Sequence, residues 1–194
     1  MMMVELTSVP TSALPVAELS DHLRLSSGFA DDGSQVAQLE RCLRSAMAAI
    51  EARTGKALLQ RQFALTLTAW QGSDSHAVPV APVSTVDSIT LVARSGAQTP
   101  VDPGRYVLRP DTHRPRIEGI GALPAPATGG AIEVVLTAGY GADWAGIPAD
   151  LKQAMLALAA EFYNLDSTAA RTLSPHVMAL IEPYRQIRLR GGVA

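Results

Sequence analysis

A single cysteine, Cys42, stands in 194 residues, so no disulfide can form within the chain. The opening stretch MMMVELTSVPTSALP has neither a basic segment nor a long apolar one, which excludes a secretory signal of the usual kind. A reducing cytosol is the expected compartment. The longest apolar helical run, from Ala154 to Ala160, is too short to span a bilayer, and no membrane partner is expected. Neither sign of charge is in excess. Sixteen Lys and Arg against eighteen Asp and Glu give a formal net charge of −2, which provides no global attraction to nucleic acid or anionic lipid. Internal repeats and coiled-coil heptads are missing as well.

Catalytic signatures are equally scarce. The histidines His22, His76, His113 and His176 are scattered, with no HExxH and no Cys/His cluster, so no metal site is expected. Asp74–His76 and Asp111–His113 each place a carboxylate two residues before a histidine, and both read as solvated loop residues. Cys42 borders an apolar helical stripe and reads as a small, partly buried thiol. No G-x-S-x-G occurs, and no carboxylate pair is set off by apolar neighbours. No catalytic residue and no cofactor is expected. The alternative enzyme reading rests only on Asp111, His113 and Arg116, polar residues around one loop.

What is present is a core-forming pattern. The hydrophobic fraction is 47% and the charged fraction 18%, which points to a globular fold. LPVAELSDHLRL predicts a short helix with Pro15 in its first turn. Val36, Leu39, Leu43, Met47 and Ile50 recur at steps of three and four and predict a long helix. Asp31 and Asp32 precede it, and Gly55 ends it. From Phe63 the period changes to two. QFALTLTAW, DSITLVAR, RYVLRP, PRIEG and AIEVVLTAG read as short strands with no helix between them, hence an antiparallel sheet. The two prolines of AVPVAPVSTV, Pro79 and Pro82, confine that stretch to an edge or connector. Leu151, Met155, Leu158 and Phe162, followed by Leu165, then form the stripe of another helix, and Ser174 caps a last short one. Leu39, Leu43 and Ile50 with Leu151, Met155, Leu158 and Phe162 are the predicted core stripe. The fold class is α+β: a small core of about four helices with an antiparallel β lobe inserted mid-chain. The predicted segments are 14–58 helical, 59–139 β lobe, 147–184 helical, and 185–194 an extended tail.

The strand, glycine turn and helix of VVLTAGYGADWAGIPADLKQ invite a phosphate-binding reading. A dinucleotide fingerprint needs a third glycine where Trp144 stands, and a P-loop needs Lys and Ser or Thr where Ile147 and Pro148 stand. Gly139, Tyr140, Gly141 and Trp144 are therefore expected to form a structural hinge turn. The tail PYRQIRLRGGVA is basic and partly apolar, a composition suited to docking on a partner.

Taken in order, these segments resemble a known family. LTAGYG at 136–141 followed by IPADLKQAMLALAAEFYN at 147–164 resembles the C-terminal signature of phage head–tail connector (adaptor) proteins. LPVAELSDHLRL and QLERCLRSAMAAIEARTGKAL resemble its first two helices, and the segment from Val78 to Leu108 its β region. LIEPYRQIRL resembles its closing motif. The likeness runs over residues 14–190. It implies a non-enzymatic virion protein, assembled in the bacterial cytoplasm, of a phage or of a phage-derived particle such as a gene transfer agent. It also implies a twelve-fold homo-oligomeric ring under a portal protein, with a stopper or other tail component beyond and DNA passing through passively. Tyr184, Arg185, Ile187, Arg188, Leu189 and Arg190 are the residues expected at the portal. A stopper or tail-completion protein is the alternative virion role.

Overall fold

The computed structural model describes residues 1–25, 33–164 and 173–185. The expectations placed on Asp31, Asp32 and Leu165, and on Ile187, Arg188, Leu189 and Arg190, lie outside these residues. The chain divides into two compact units. One joins Met1–Ala13 to Ala57–Ile147; the other joins Leu14–Lys56 to Pro148–Ala194. The chain thus passes from one unit to the other three times.

The second unit holds four helices among the described residues: α1 (Val16–His22), α2 (Gly33–Thr54), α3 (Ala149–Asn164) and α4 (Pro175–Ile181). In α2 the buried residues are Leu39, Leu43, Ala46, Met47, Ile50 and Thr54, one face at helical spacing. Each fully buried Leu or Ile contributes about 1.5–3 kcal/mol of transfer free energy, so this face holds the helix more firmly than its intrinsic propensity. The helix stops where sequence predicts. Gly55 takes φ 69° and donates its N–H to the Glu51 carbonyl at 2.8 Å. α3 begins after Pro148, whose carbonyl accepts from the Lys152 N–H at 2.9 Å. It buries Leu151, Ala154, Met155, Leu158 and Ala159, while Phe162 is half-buried. α3 packs against each of the other three helices. At α4, Ser174 Oγ accepts from the Val177 N–H at 3.4 Å, the predicted N-cap.

The first unit is β. Its strands are β1 (Met2–Glu5), β2 (Arg61–Leu67), β3 (Ser75–Ala77), β4 (Val83–Val92), β5 (Gln98–Pro100), β6 (Tyr106–Arg109), β7 (Arg116–Gly119) and β8 (Ala131–Ala138). They form two sheets, β1-β2-β8-β4-β5 and β3-β7-β6, and every strand pair is antiparallel, as predicted. β2 buries Phe63, Leu65 and Leu67 on one face, and β8 buries Ile132, Val134, Leu136 and Ala138. With Ile89, Tyr106 and Ile117 these make one hydrophobic cluster. The opposite face of the large sheet is polar. There Asp87 accepts from Gln62 Nε2 (3.1 Å), Thr85 Oγ1 (2.7 Å) and Thr137 Oγ1 (2.8 Å), a carboxylate that ties together β2, β4 and β8.

Pro82 ends a connector after a cis peptide bond with Ala81. Val83 then opens β4 beside β8, and β5 pairs only with Thr90–Val92 of it, so Val83–Val86 lie at an edge, as expected. One reading needs correction. His76 is not on a solvated loop: it sits in β3 with 1% of its surface exposed. Met2–Glu5, for which the sequence predicts no element, form a strand on β2.

Candidate assembly site

The glycine turn closes on its own unit. Gly139 follows β8 at φ 138°, and a Cβ built on it would lie 2.4 Å from the Cα and N of Gln60. Only glycine fits so close a backbone crossing. Past it the antiparallel pairing of β2 and β8 gives way to a parallel bridge between Leu59 and Gly141: Gln60 N–H donates to the Gly141 carbonyl at 2.8 Å and Tyr140 N–H to the Leu58 carbonyl at 3.2 Å. Gly139 N–H goes to the Pro82 carbonyl at 2.9 Å, and Ile147 N–H to the Trp144 carbonyl at 3.3 Å. Asp143 caps the short 3₁₀ turn Trp144–Gly146 by accepting from the Gly146 N–H. The amides of Gly139, Tyr140, Gly146 and Ile147 are thus committed to carbonyls and to a carboxylate of the same unit.

The start of the tail is held to the helical unit. Tyr184 donates its hydroxyl to Asp150 Oδ1 at 2.7 Å, in the first turn of α3, where the helix dipole favours the carboxylate. Arg185 pairs with Glu182 at 2.8 Å. Of the six tail residues singled out by sequence, Tyr184 and Arg185 are the two described. Asp150 as the partner of Tyr184 was not read from sequence, because nothing local links residues 34 positions apart.

The loop named by the enzyme alternative is organised differently from a catalytic group. Asp111 Oδ1 accepts the backbone N–H of His113 (2.7 Å) and of Arg114 (2.6 Å), an Asx turn that uses the carboxylate to shape the loop. Arg116 leaves the loop on β7 and donates to Ser75 Oγ at 2.7 Å. Among the described residues no group of three His, Cys, Asp or Glu is placed to hold a metal. An apolar cleft of about 290 Å³ opens between α1 and α2, with Ser20 and Gln35 its polar lining residues. Burial pushes the Cys42 thiol above its ordinary value, against a smaller opposite effect of Arg41. That is the reverse of a reactive thiolate.

Solved structures decide the family. The chain matches the "Neck of empty GTA particle computed with C6 symmetry" at TM-score 0.91 and 50% identity, over 99% of both chains. It matches the "Virion of native gene transfer agent (GTA) particle" at TM-score 0.88 and 52% identity, again over 99% of both. The chain belongs to the neck proteins of gene transfer agent particles. A further match, the "Neck of native GTA particle computed with C12 symmetry", has TM-score 0.86 and 47% identity with the same coverage. No family model and no curated protein matches. The neck protein is therefore a structural component of a virion, of the head–tail connector family that the motif order resembles. Its residues of interest are to be read as surfaces for assembly. Among the described residues no helix is long and apolar enough to cross a membrane.

Proposed function

We propose that this neck protein is the head–tail connector (adaptor): a twelve-fold ring beneath the portal protein that extends the DNA channel and presents a docking surface to a stopper or other tail component. Its action is mechanical, with no catalysis, and DNA passes without tight binding. One observation carries the reading: a likeness at 47–52% identity over 99% of both chains to structures of gene transfer agent particles, two of them necks, computed with C6 and with C12 symmetry.

The tail is the part that engages the portal. Tyr184 is occupied by Asp150, so it anchors the base of the tail. Ile187, Arg188, Leu189 and Arg190, with Arg185 at the base, make the contact. A ring presents a dozen such segments side by side, so contacts that are weak singly act together. The turn through Gly139, Tyr140, Gly141 and Trp144 acts as the joint between the β unit and α3.

The test is direct. The purified chain is mixed with the portal protein of the same gene cluster, and the mass of the complex is measured by light scattering after size exclusion. A portal plus twelve copies supports the connector reading. A different number of copies refutes the twelve-fold ring. A well-folded chain that leaves the portal alone refutes it.

A further inference from the structure

The least explained surface is the N-terminal strand. Among the described residues seven large hydrophobic side chains are exposed, and five of them lie in the first six positions: Met1 (72%), Met2 (59%), Met3 (40%), Val4 (46%) and Leu6 (51%). β1 is also a sheet edge, paired with β2 alone. Leu6 N–H donates inward to the Gln62 carbonyl at 2.8 Å. In an antiparallel ladder donors alternate, so the N–H and C=O groups of Met3 and Glu5 point outward from the edge.

Open strand edges invite association, and proteins normally blunt them with charge, proline or short length. The other edges of this unit are blunted. β5 has three residues, one of them Pro100. β3 has three, and β6 carries Arg109 at its end. β1, at four residues, is as short as β6, and its one charge, Glu5, is paired with Arg61 at 2.9 Å, as Arg109 is with Glu118. What sets β1 apart is its run of exposed apolar side chains, the composition of a surface that is covered permanently.

We propose that β1 is a contact between neighbouring copies of this chain, covered in the ring by the next copy. Two arguments favour a second copy over another component. Permanent contacts between identical chains are more apolar than those between separately made partners, and this strip is apolar except for Glu5. Its size fits too. Six extended residues span about 20 Å, giving a strip of roughly 300 Å² against the ~800 Å² per partner of a stable complex. Alone it is too small to hold a free dimer. In a ring, where each copy is held on both sides, it completes a larger contact.

The inference rests on the ring reading, and the experiment separates the two. A photo-crosslinking residue replaces Val4, and particles are isolated from producing cells. Crosslinks between two copies of this chain are expected; adducts only to other neck or portal proteins, or none in particles that contain the chain, overturn the proposal whichever neck position the ring occupies. In parallel, Met2→Lys with Val4→Lys is compared with Gln98→Lys with Thr99→Lys on β5, each checked for folding by circular dichroism. The β1 pair should lower the yield of full rings about tenfold and the β5 pair should leave it unchanged. Equal ring yield from a folded β1 variant overturns the proposal. If wild-type rings form but carry no portal, the connector reading fails and the β1 contact stands.

Discussion

Replacing Gly139 by alanine should be the most damaging single methyl in the β unit. Two costs combine. The φ of 138° lies in a region that residues with a side chain hold only at about 1–3 kcal/mol. The added methyl would also meet the Cα and N of Gln60 at 2.4 Å. These are backbone atoms fixed by the Gln60–Gly141 hydrogen bond, so they cannot rotate aside as a side chain would. Overpacking of that kind costs about 1–3 kcal/mol. Together the loss is about 2–6 kcal/mol, a large part of the ~5–15 kcal/mol that holds a typical domain. At about 2–4 °C per kcal/mol for a chain of this size, the melting temperature should fall by roughly 5–20 °C. Gly96→Ala is the control. Gly96 also has positive φ, 86°, but a methyl there meets nothing within 4 Å, and only the backbone cost of about 1–2 kcal/mol applies. Both variants are followed by thermal and urea unfolding. If Gly139→Ala loses no more than Gly96→Ala, the close approach to Gln60 is not what fixes the glycine.

Other outcomes follow from the same geometry. Tyr184→Phe should cost about 1–2 kcal/mol, because it leaves the Asp150 carboxylate without that hydroxyl; a double-mutant cycle with Asp150→Ala should show most of the loss shared, and additive losses would refute the bond. Removing residues 186–194 should leave the melting temperature within about 2 °C of wild type and abolish portal binding on a size-exclusion column; retained binding places the contact elsewhere. His76 is held below its ordinary value of 6.5, chiefly by burial and secondarily by Arg116. The unfolded chain therefore binds the proton first. Stability is full above about pH 6.5 and falls as pH drops from there toward the folded value. His76→Gln should flatten that part of the acid limb in urea titrations; an unchanged limb would show that His76 does not set it.

How much of this was legible in the sequence depends on how each element is buried. α2 was plain because one face is buried over Gly33–Thr54 and the other is not, which writes a helical period into the residues. β2 was plain for the same reason with period two. β1 left no such trace: all four of its residues are exposed, so nothing forces an alternation. β3 and β5, three residues each, are too short to show a period. His76 read as solvated because its neighbours Asp74 and Ser75 are polar, yet strand geometry sends alternate side chains to opposite faces. His76 points inward, where Trp70 meets its ring edge-on at 5.5 Å. For the assembly site, the order of motifs reached the family before the coordinates did. The pairing of Tyr184 with Asp150 needed the fold, since only packing brings the two ends of the helical unit together.

The interleaving of the two units sets a timetable for synthesis. α1 and α2 follow β1 out of the ribosome, but α3, the helix that both pack against, comes after roughly ninety further residues of β unit. At about 5–20 residues per second, the apolar face of α2 waits roughly 5–20 s for its partner. During that interval the nascent chain carries an uncovered Leu39, Leu43, Met47 and Ile50, and the β unit in between can close its sheets while they wait. Slow translation through Ala57–Ile147 would lengthen that exposure, and the yield of soluble chain should depend on chaperone supply most strongly there.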